Sequence, residues 1–316
     1  MSNKTAVVAL GGNAITVPGQ EDTIANQFAN TRASLDGIVE LARDGFKLVI
    51  THGNGPQVGN ALLRVELARG KAPILPLGVL VADTEGGMGY MIEQSLQNRL
   101  KKDGIDRPVI TIITQMIVDE HDPAVANPTK FIGQFYTEQD ARLFEETRGW
   151  TMKADANRGW RRVVPSPVPL RAVEAPLIKQ LVENGAIVLA GGGGGIPVYI
   201  DSKGNLEGMD AVIDKDLGSA VLAAEIGASV LSILTSVDNV ALNFGKPNQK
   251  VLESCTFTEM KRYYAEGHFP PGSMGPKVAA ALKFLENGGD VVAITSFKNA
   301  RKALNGEAGT RIVRDR

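Results

Sequence analysis

The chain has 316 residues, enough for one large α/β unit or for two lobes of roughly 150 residues each. With 43% hydrophobic and 22% charged residues and a formal net charge of −1, it gives no electrostatic reason to bind nucleic acid or an anionic membrane, so small molecules or protein are the expected partners. One cysteine, Cys255, excludes an internal disulfide, and His52, His121 and His268 do not give it zinc-ligand spacing. No stretch reaches the ~18 apolar residues of a membrane span, and the start lacks a signal-peptide core, so a reducing cytoplasm is the expected location.

In chain order, short apolar, β-branched runs alternate with segments of helical spacing. TAVVAL at 5–10 reads as a strand buried on both faces. Ile24, Phe28, Leu35, Ile38, Val39 and Ala42 then share one side of a helix that stops near Gly45. FKLVIT at 46–51 is the next strand, and Met88, Met91, Ile92, Leu96 and Leu100 line a second helix ending before Gly104. VITIIT at 109–114 precedes a break in rhythm from Asp119 to Leu170, polar, proline-bearing and without a clear period. Its aromatic residues (Phe131, Phe135, Tyr136, Phe144, Trp150, Trp160) predict a packed subdomain protruding from the sheet. Strands resume at AIVLA (186–190), VLSILT (230–235) and VVAIT (291–295), with a hairpin turn between lobes at 202–207. Strand, helix, strand repeated this way predicts an α/β fold with a mostly parallel sheet covered on both faces.

Glycine-rich turns follow three of these strands: Gly11-Gly12-Asn13, Gly53-Asn54-Gly55 and Gly191 to Gly195. Glycine also serves any tight βα turn, but in a parallel sheet these three lie on one edge, where helix N-termini and bare N–H groups can surround phosphate. No G-x-x-x-x-G-K-[ST] occurs, which excludes a P-loop. Residues 53–59 are one residue too long for the dinucleotide fingerprint, which disfavours a Rossmann oxidoreductase.

Phosphoryl transfer needs cations on the moving group and carboxylates to hold them. Asp214-Lys215-Asp216 opens a helix with apolar residues Leu217, Ala220, Val221 and Ala224, so its charges sit at the positive helix end. On its own this could be a solvated, aspartate-capped turn. Gly272-Ser273-Met274-Gly275-Pro276-Lys277 adds a second helix start with a lysine opposing the dipole, which a bound anion would explain. Neither Ser166 nor Cys255 has the neighbours of an activated nucleophile, so transfer is expected to be direct and in line.

Several longer strings are similar to carbamate kinases of the amino-acid-kinase superfamily: VVALGGNAI (7–15), THGNGPQVG (51–59), NPTKFIGQFYTEQ (127–139), RGWRRVVPSPVP (158–169), GMDAVIDKDLGSAVLA (208–223) and GHFPPGSMGPK (267–277). The resemblance implies a three-layer αβα sandwich with a small protruding subdomain, as one unit over 1–316. Residues 1–207 would form the carbamoyl-phosphate lobe, carrying the subdomain at about 119–170, and 208–316 the nucleotide lobe, in a cytoplasmic homodimer. It also implies Mg²⁺ with ATP or ADP. Lys130, Lys215 and Lys277 would touch the transferring group, Asp216 would orient lysines, and Asp214 would lie near the metal. Gly11, Gly12, Asn13, Gly53, Asn54 and Gly55 would bind carbamoyl phosphate or carbamate; Ser236, Asp238, Lys246, Gly272, Ser273, Met274 and Lys277 would bind nucleotide.

Acetylglutamate and uridylate kinases carry a lysine in the first turn where this chain has Ala9, and Lys130 is the expected replacement. Ser236 departs from the aspartate common in carbamate kinases. The competing readings are an amino-acid kinase with a larger acyl or amino substrate, or a nucleotide sensor without turnover.

Overall fold

A computed structural model describes residues 4–17, 19–155 and 158–315; the side chain of Asn13 lies outside the described residues. Its frame is an eight-stranded sheet built from β1 (Thr5–Leu10), β2 (Lys47–His52), β3 (Val109–Thr111), β9 (Ile187–Leu189), β12 (Val230–Thr235), β15 (Ser254–Thr256), β16 (Val291–Ser296) and β17 (Thr310–Val313). The order across the sheet is β15-β17-β16-β12-β1-β2-β9-β3, and only the β16/β17 pairing is antiparallel.

Strand periodicity sorts the apolar runs into two cores. Val7, Val49, Val188, Leu231 and Ile294 face one side, with α7 (Ala175–Glu183), α8 (Lys215–Glu225), α9 (Phe257–Ala265) and α10 (Met274–Glu286). Val8, Leu10, Leu48, Ile50 and Leu189 face the other, with α2 (Asp36–Arg43), α4 (Leu77–Lys102) and α11 (Ala300–Leu304). The result is the three-layer αβα arrangement. The expected single helix over 24–42 is two: α1 (Ile24–Ser34) stops at Leu35 and α2 follows at once, leaving Ile24 exposed. The run at 109–114 gives only three sheet residues, because Thr114 leaves the ladder to bond elsewhere.

A second sheet, in the order β11-β10-β4-β8, comprises β4 (Gln115–Val118), β8 (Pro169–Ala172), β10 (Ile196–Ile200) and β11 (Leu206–Gly208), and the turn at 202–207 joins its last two strands. The irregular excursion holds the short α5 (Pro123–Ala126) and a three-stranded antiparallel sheet of β5 (Lys130–Tyr136), β6 (Thr151–Ala154) and β7 (Trp160–Val164), with α6 (Glu138–Arg148) against it. Its own small core is Ala141, Trp150 and Met152, joined by Tyr136, Phe144 and Trp160. The hairpin β13 (Val240–Leu242) and β14 (Lys250–Leu252) completes the strands, and α3 (Gly55–Leu67) follows β2.

From β1 the chain steps to β2 on one side, while β12 lies on the other side and leads on to β16. That reversal of strand order is where open α/β sheets bind ligands, beyond the carboxyl ends of the strands.

Candidate active site

At that edge a cleft of about 840 Å³ opens between the main body and the excursion. The N-termini of α3, α8 and α10 converge on its wall, through Asn54 and Gly55, Asp214 to Asp216, and Gly272, Ser273 and Lys277. Lys130, on the first residue of β5, closes the opposite side.

The three helix starts differ in how their orphan amides are met. Asp214 caps α8, with Oδ1 accepting from the Asp216 and Leu217 amides at 3.0 and 3.4 Å. Asn54 stands at the N-cap of α3 yet makes no side-chain cap, and neither does Ser273 at α10. A cap at such a position contributes about 1 kcal/mol, so leaving it unmade keeps two positive helix ends open toward the cleft.

The charges form a linked chain. Lys130 Nζ donates to Asp214 Oδ2 at 2.9 Å, Lys277 Nζ donates to Asp216 Oδ2 at 2.8 Å, and Lys215 Nζ lies 2.6 Å from Asp216 Oδ1. The last contact is an ion pair without hydrogen-bond geometry: neither Lys215 Nζ nor Asp216 Oδ1 has a directed partner, although both are buried. Burial lowers the pKa of Lys215, against Asp216, which raises it. For Asp216 burial pushes up, but Lys215 and Lys277 outweigh it and hold the carboxyl well below its ordinary range.

Glycine turns meet the cleft unevenly. Gly53, Asn54 and Gly55 line it, as does Gly193. The N–H groups of Gly11 and Gly53 are spent on Leu234 O and Leu10 O, both at 3.1 Å, and a Cβ on Gly11 would sit 2.8 Å from Leu234 O. Their contribution is close packing, while Gly12 and Gly55 have no acceptor for their N–H among the described residues. Four of the five glycines at 191–195 hold positive φ, and the loop is wedged so tightly that a Cβ on Gly192 would fall 2.5 Å from His52 Nε2. Glycine is required there for conformation and proximity rather than for exposed amides.

Of the residues expected to hold nucleotide, Gly272, Ser273 and Lys277 line the cleft; Met274 begins α10 just behind them. Ser236, Asp238 and Lys246 do not line it. Asp238 Oδ1 accepts from Ser296 Oγ and Asn299 Nδ2, which ties the end of β12 to the end of β16. Lys246 sits in the exposed β13–β14 turn.

Sequence reasoning missed the polar residues behind the cleft. Thr84 Oγ1 accepts from Asn54 Nδ2 at 2.9 Å. Glu85, 1% exposed, accepts from Thr114 N at 2.8 Å, and Thr114 Oγ1 accepts from Gly191 N at 2.9 Å. Burial raises the Glu85 carboxyl well above its ordinary pKa and lowers His52 to about 4, so His52 is neutral near pH 7. Asp155, Arg158 and Arg161, also on the cleft, pair at 2.9 to 3.1 Å. Only the RGWRR string hinted at them.

No group of three or more metal-ligating side chains occurs among the described residues. Asp214 is the carboxylate on the cleft whose Oδ2 is held only by Lys130, and it is the residue that could meet a cation carried on a phosphate ligand.

A model of the amino acid kinase family matches residues 4–296. A carbamate kinase of Thermococcus kodakarensis is 51% identical over 99% of this chain and 100% of its own length. One from Pyrococcus horikoshii is 48% identical over 97% and 98%, and the carbamate kinase-like protein YahI of Escherichia coli is 47% identical over 98% of each. Among solved structures, the carbamate kinase from Giardia lamblia bound to AMP-PNP superposes with a TM-score of 0.93 at 42% identity, covering 99% of both chains.

Proposed function

This chain belongs to the amino acid kinase family, and from that premise we propose that it is a carbamate kinase, moving a phosphoryl group reversibly between carbamoyl phosphate and ADP. The observation that carries the reading is Lys215: a buried ammonium at a helix start, held by one carboxylate and lacking directed acceptors, is arranged for an anion that arrives as substrate.

In the ATP-forming direction an oxygen of the ADP β-phosphate attacks phosphorus in line, and the bond from phosphorus to the carbamate oxygen breaks. Carbamate leaves with the electron pair, to decompose to ammonia and carbon dioxide. The open N-terminus of α3 would hold the carbamoyl-phosphate end, with Gly12, Gly55 and Asn54, and that of α10 the nucleotide phosphates, with Gly272, Ser273 and Lys277. Lys215 and Lys277 would steady charge on the moving group, with Asp216 keeping both lysines oriented. Lys130 would leave Asp214 for the same phosphoryl group. Mg²⁺, held through Asp214, would neutralise nucleotide phosphate charge.

The same reading gives 1–207 the carbamoyl-phosphate lobe, with the excursion as a lid, and 208–316 the nucleotide lobe. It works as a cytoplasmic homodimer; the exposed Ile74, Val79 and Tyr90 in and before α4 support a self-association face.

The deciding measurement is ATP formation from carbamoyl phosphate, ADP and Mg²⁺, alongside carbamate, acetylglutamate, glutamate, aspartate and UMP as acceptors from ATP. Lys130→Ala and Lys215→Ala should each lower turnover about 10²-fold or more, the scale of losing one preorganised donor. Near-wild-type rates in both, or tight ADP binding with no ATP formed, would remove the reading.

A further inference from the structure

Asn54 occupies the N-cap of α3, where its side chain would ordinarily accept a helix amide, and it does not. It turns instead to α4, its Nδ2 donating to Thr84 Oγ1 at 2.9 Å. A threonine hydroxyl has a single proton, and Thr84 gives its own to Val81 O at 2.8 Å. Thr84 can therefore only accept from Asn54, so the end of the amide facing it must be the NH₂. Gly193 closes the amide face: a Cβ there would lie 2.2, 2.5 and 2.7 Å from Nδ2, Cγ and Oδ1. With one face and the nitrogen end held, Oδ1 is the group left for the cleft that Asn54 lines, and no described residue donates to it.

We propose that Thr84 is a positioning residue that fixes the Asn54 amide with its carbonyl oxygen toward the cleft, and thereby selects a phosphoryl donor bearing N–H groups next to its acyl carbon. This rests on the carbamate-kinase reading and adds the basis of its selectivity. Carbamoyl phosphate presents an NH₂ where acetyl phosphate, otherwise the same mixed anhydride, presents a methyl. An acceptor pinned in place is matched by the first and left unpaired by the second, and a site built to bond N–H discriminates strongly on that ground. If Thr84 lost its hydroxyl, the amide could rotate and offer NH₂ to the cleft, which gives the carbamoyl group nothing to donate to.

The test compares the wild type with Thr84→Val, which removes the hydroxyl at nearly constant shape, and Thr84→Ser, which keeps it. The readouts are KM for carbamoyl phosphate, KM for ADP, and the inhibition constant of acetyl phosphate competing with carbamoyl phosphate. The expected result for Thr84→Val is a KM for carbamoyl phosphate raised about tenfold or more, with acetyl phosphate and ADP each within about twofold of wild type, and Thr84→Ser restoring wild-type values. Weakening of both acyl phosphates in proportion marks a structural role and overturns the proposal, as does an unchanged KM. Should Thr84→Val not fold, Thr84→Ala removes the same hydroxyl without adding a methyl and is read identically. A wild type inert toward carbamoyl phosphate overturns the functional reading and this inference with it; an active wild type with unaltered selectivity in the variants overturns the inference alone.

Discussion

Asp216 holds a lysine on each carboxylate oxygen, and this decides how the cleft can answer a ligand. Lys215 lies 2.6 Å from one oxygen and Lys277 donates to the other at 2.8 Å, so either lysine can turn toward a phosphoryl oxygen while the other keeps Asp216 paired. Cys255 is a residue with the opposite character. It is buried in β15, and burial, with Glu259 adding, pushes its thiol up to about 12. A thiol reagent at pH 8 should therefore leave the native protein unlabelled and modify one thiol per chain in denaturant; fast native labelling would show that the strand opens. At this scale Lys215 and Lys277 were legible as candidates because glycine, aspartate and proline punctuate the starts of their helices, and Lys130 only through the resemblance carried by NPTK. Thr84 and Glu85 were not. They sit among Leu80, Val81 and Met88 in α4, and a helix that carries polar residues inward looks, in sequence, like a helix with polar residues on its outer face.

The excursion shows how an element without period can still be ordered. Its helix and strands carry arginines that stack on its own aromatic rings: Arg148 of α6 lies 4.0 Å from Phe144 and 4.9 Å from Trp150, and Arg162 of β7 lies 4.8 Å from Trp150. Apolar alternation is therefore replaced by cation–π layering, which is why no strand pattern was readable between 119 and 170. It is anchored to the body by Arg148 to Glu66 at 2.7 Å, by Arg162 to Asp210 at 3.3 Å, and by a backbone contact between α3 and β5. In that contact a Cβ on Gly59 would stand 3.2 Å from Gly133 Cα, and Gly133 itself has φ of 71°. Gly59→Ala should push β5 outward, carrying Lys130, three residues before Gly133, away from Asp214. The expected result is a destabilisation of about 1 to 3 kcal/mol and a turnover loss near tenfold, read by thermal melting and steady-state kinetics. Faster proteolysis within 119–170 should accompany it, and substrate should slow that cleavage in the wild type. Unchanged kinetics would mean that the strand does not set the lysine.

For the whole molecule, the two buried titratable groups that flank Gly192 bind acidity into stability with opposite signs. His52 has its pKa lowered from 6.5 to about 4, chiefly by burial, with its contact to Gly53 O opposing and Lys215 assisting. Between those values the unfolded chain holds a proton that the folded one lacks, so its stabilisation is complete above 6.5 and is lost as pH falls toward 4. Glu85 has its pKa raised well above 4.5, chiefly by burial, opposed by the Thr114 amide and reinforced by Glu174. There the folded chain holds a proton that the unfolded one lacks, so stability grows as pH falls toward 4.5. Where both groups titrate, the two effects oppose each other. Glu85→Gln keeps an acceptor for Thr114 N while removing the titration, and should expose the His52 slope: denaturant midpoints falling steadily from pH 6.5 to 4.5. His52→Gln should expose the reverse, a protein that gains stability as it is acidified toward pH 4.5. Wild type should lie between them, and parallel profiles for all three would mean that neither side chain is buried in the state that titrates.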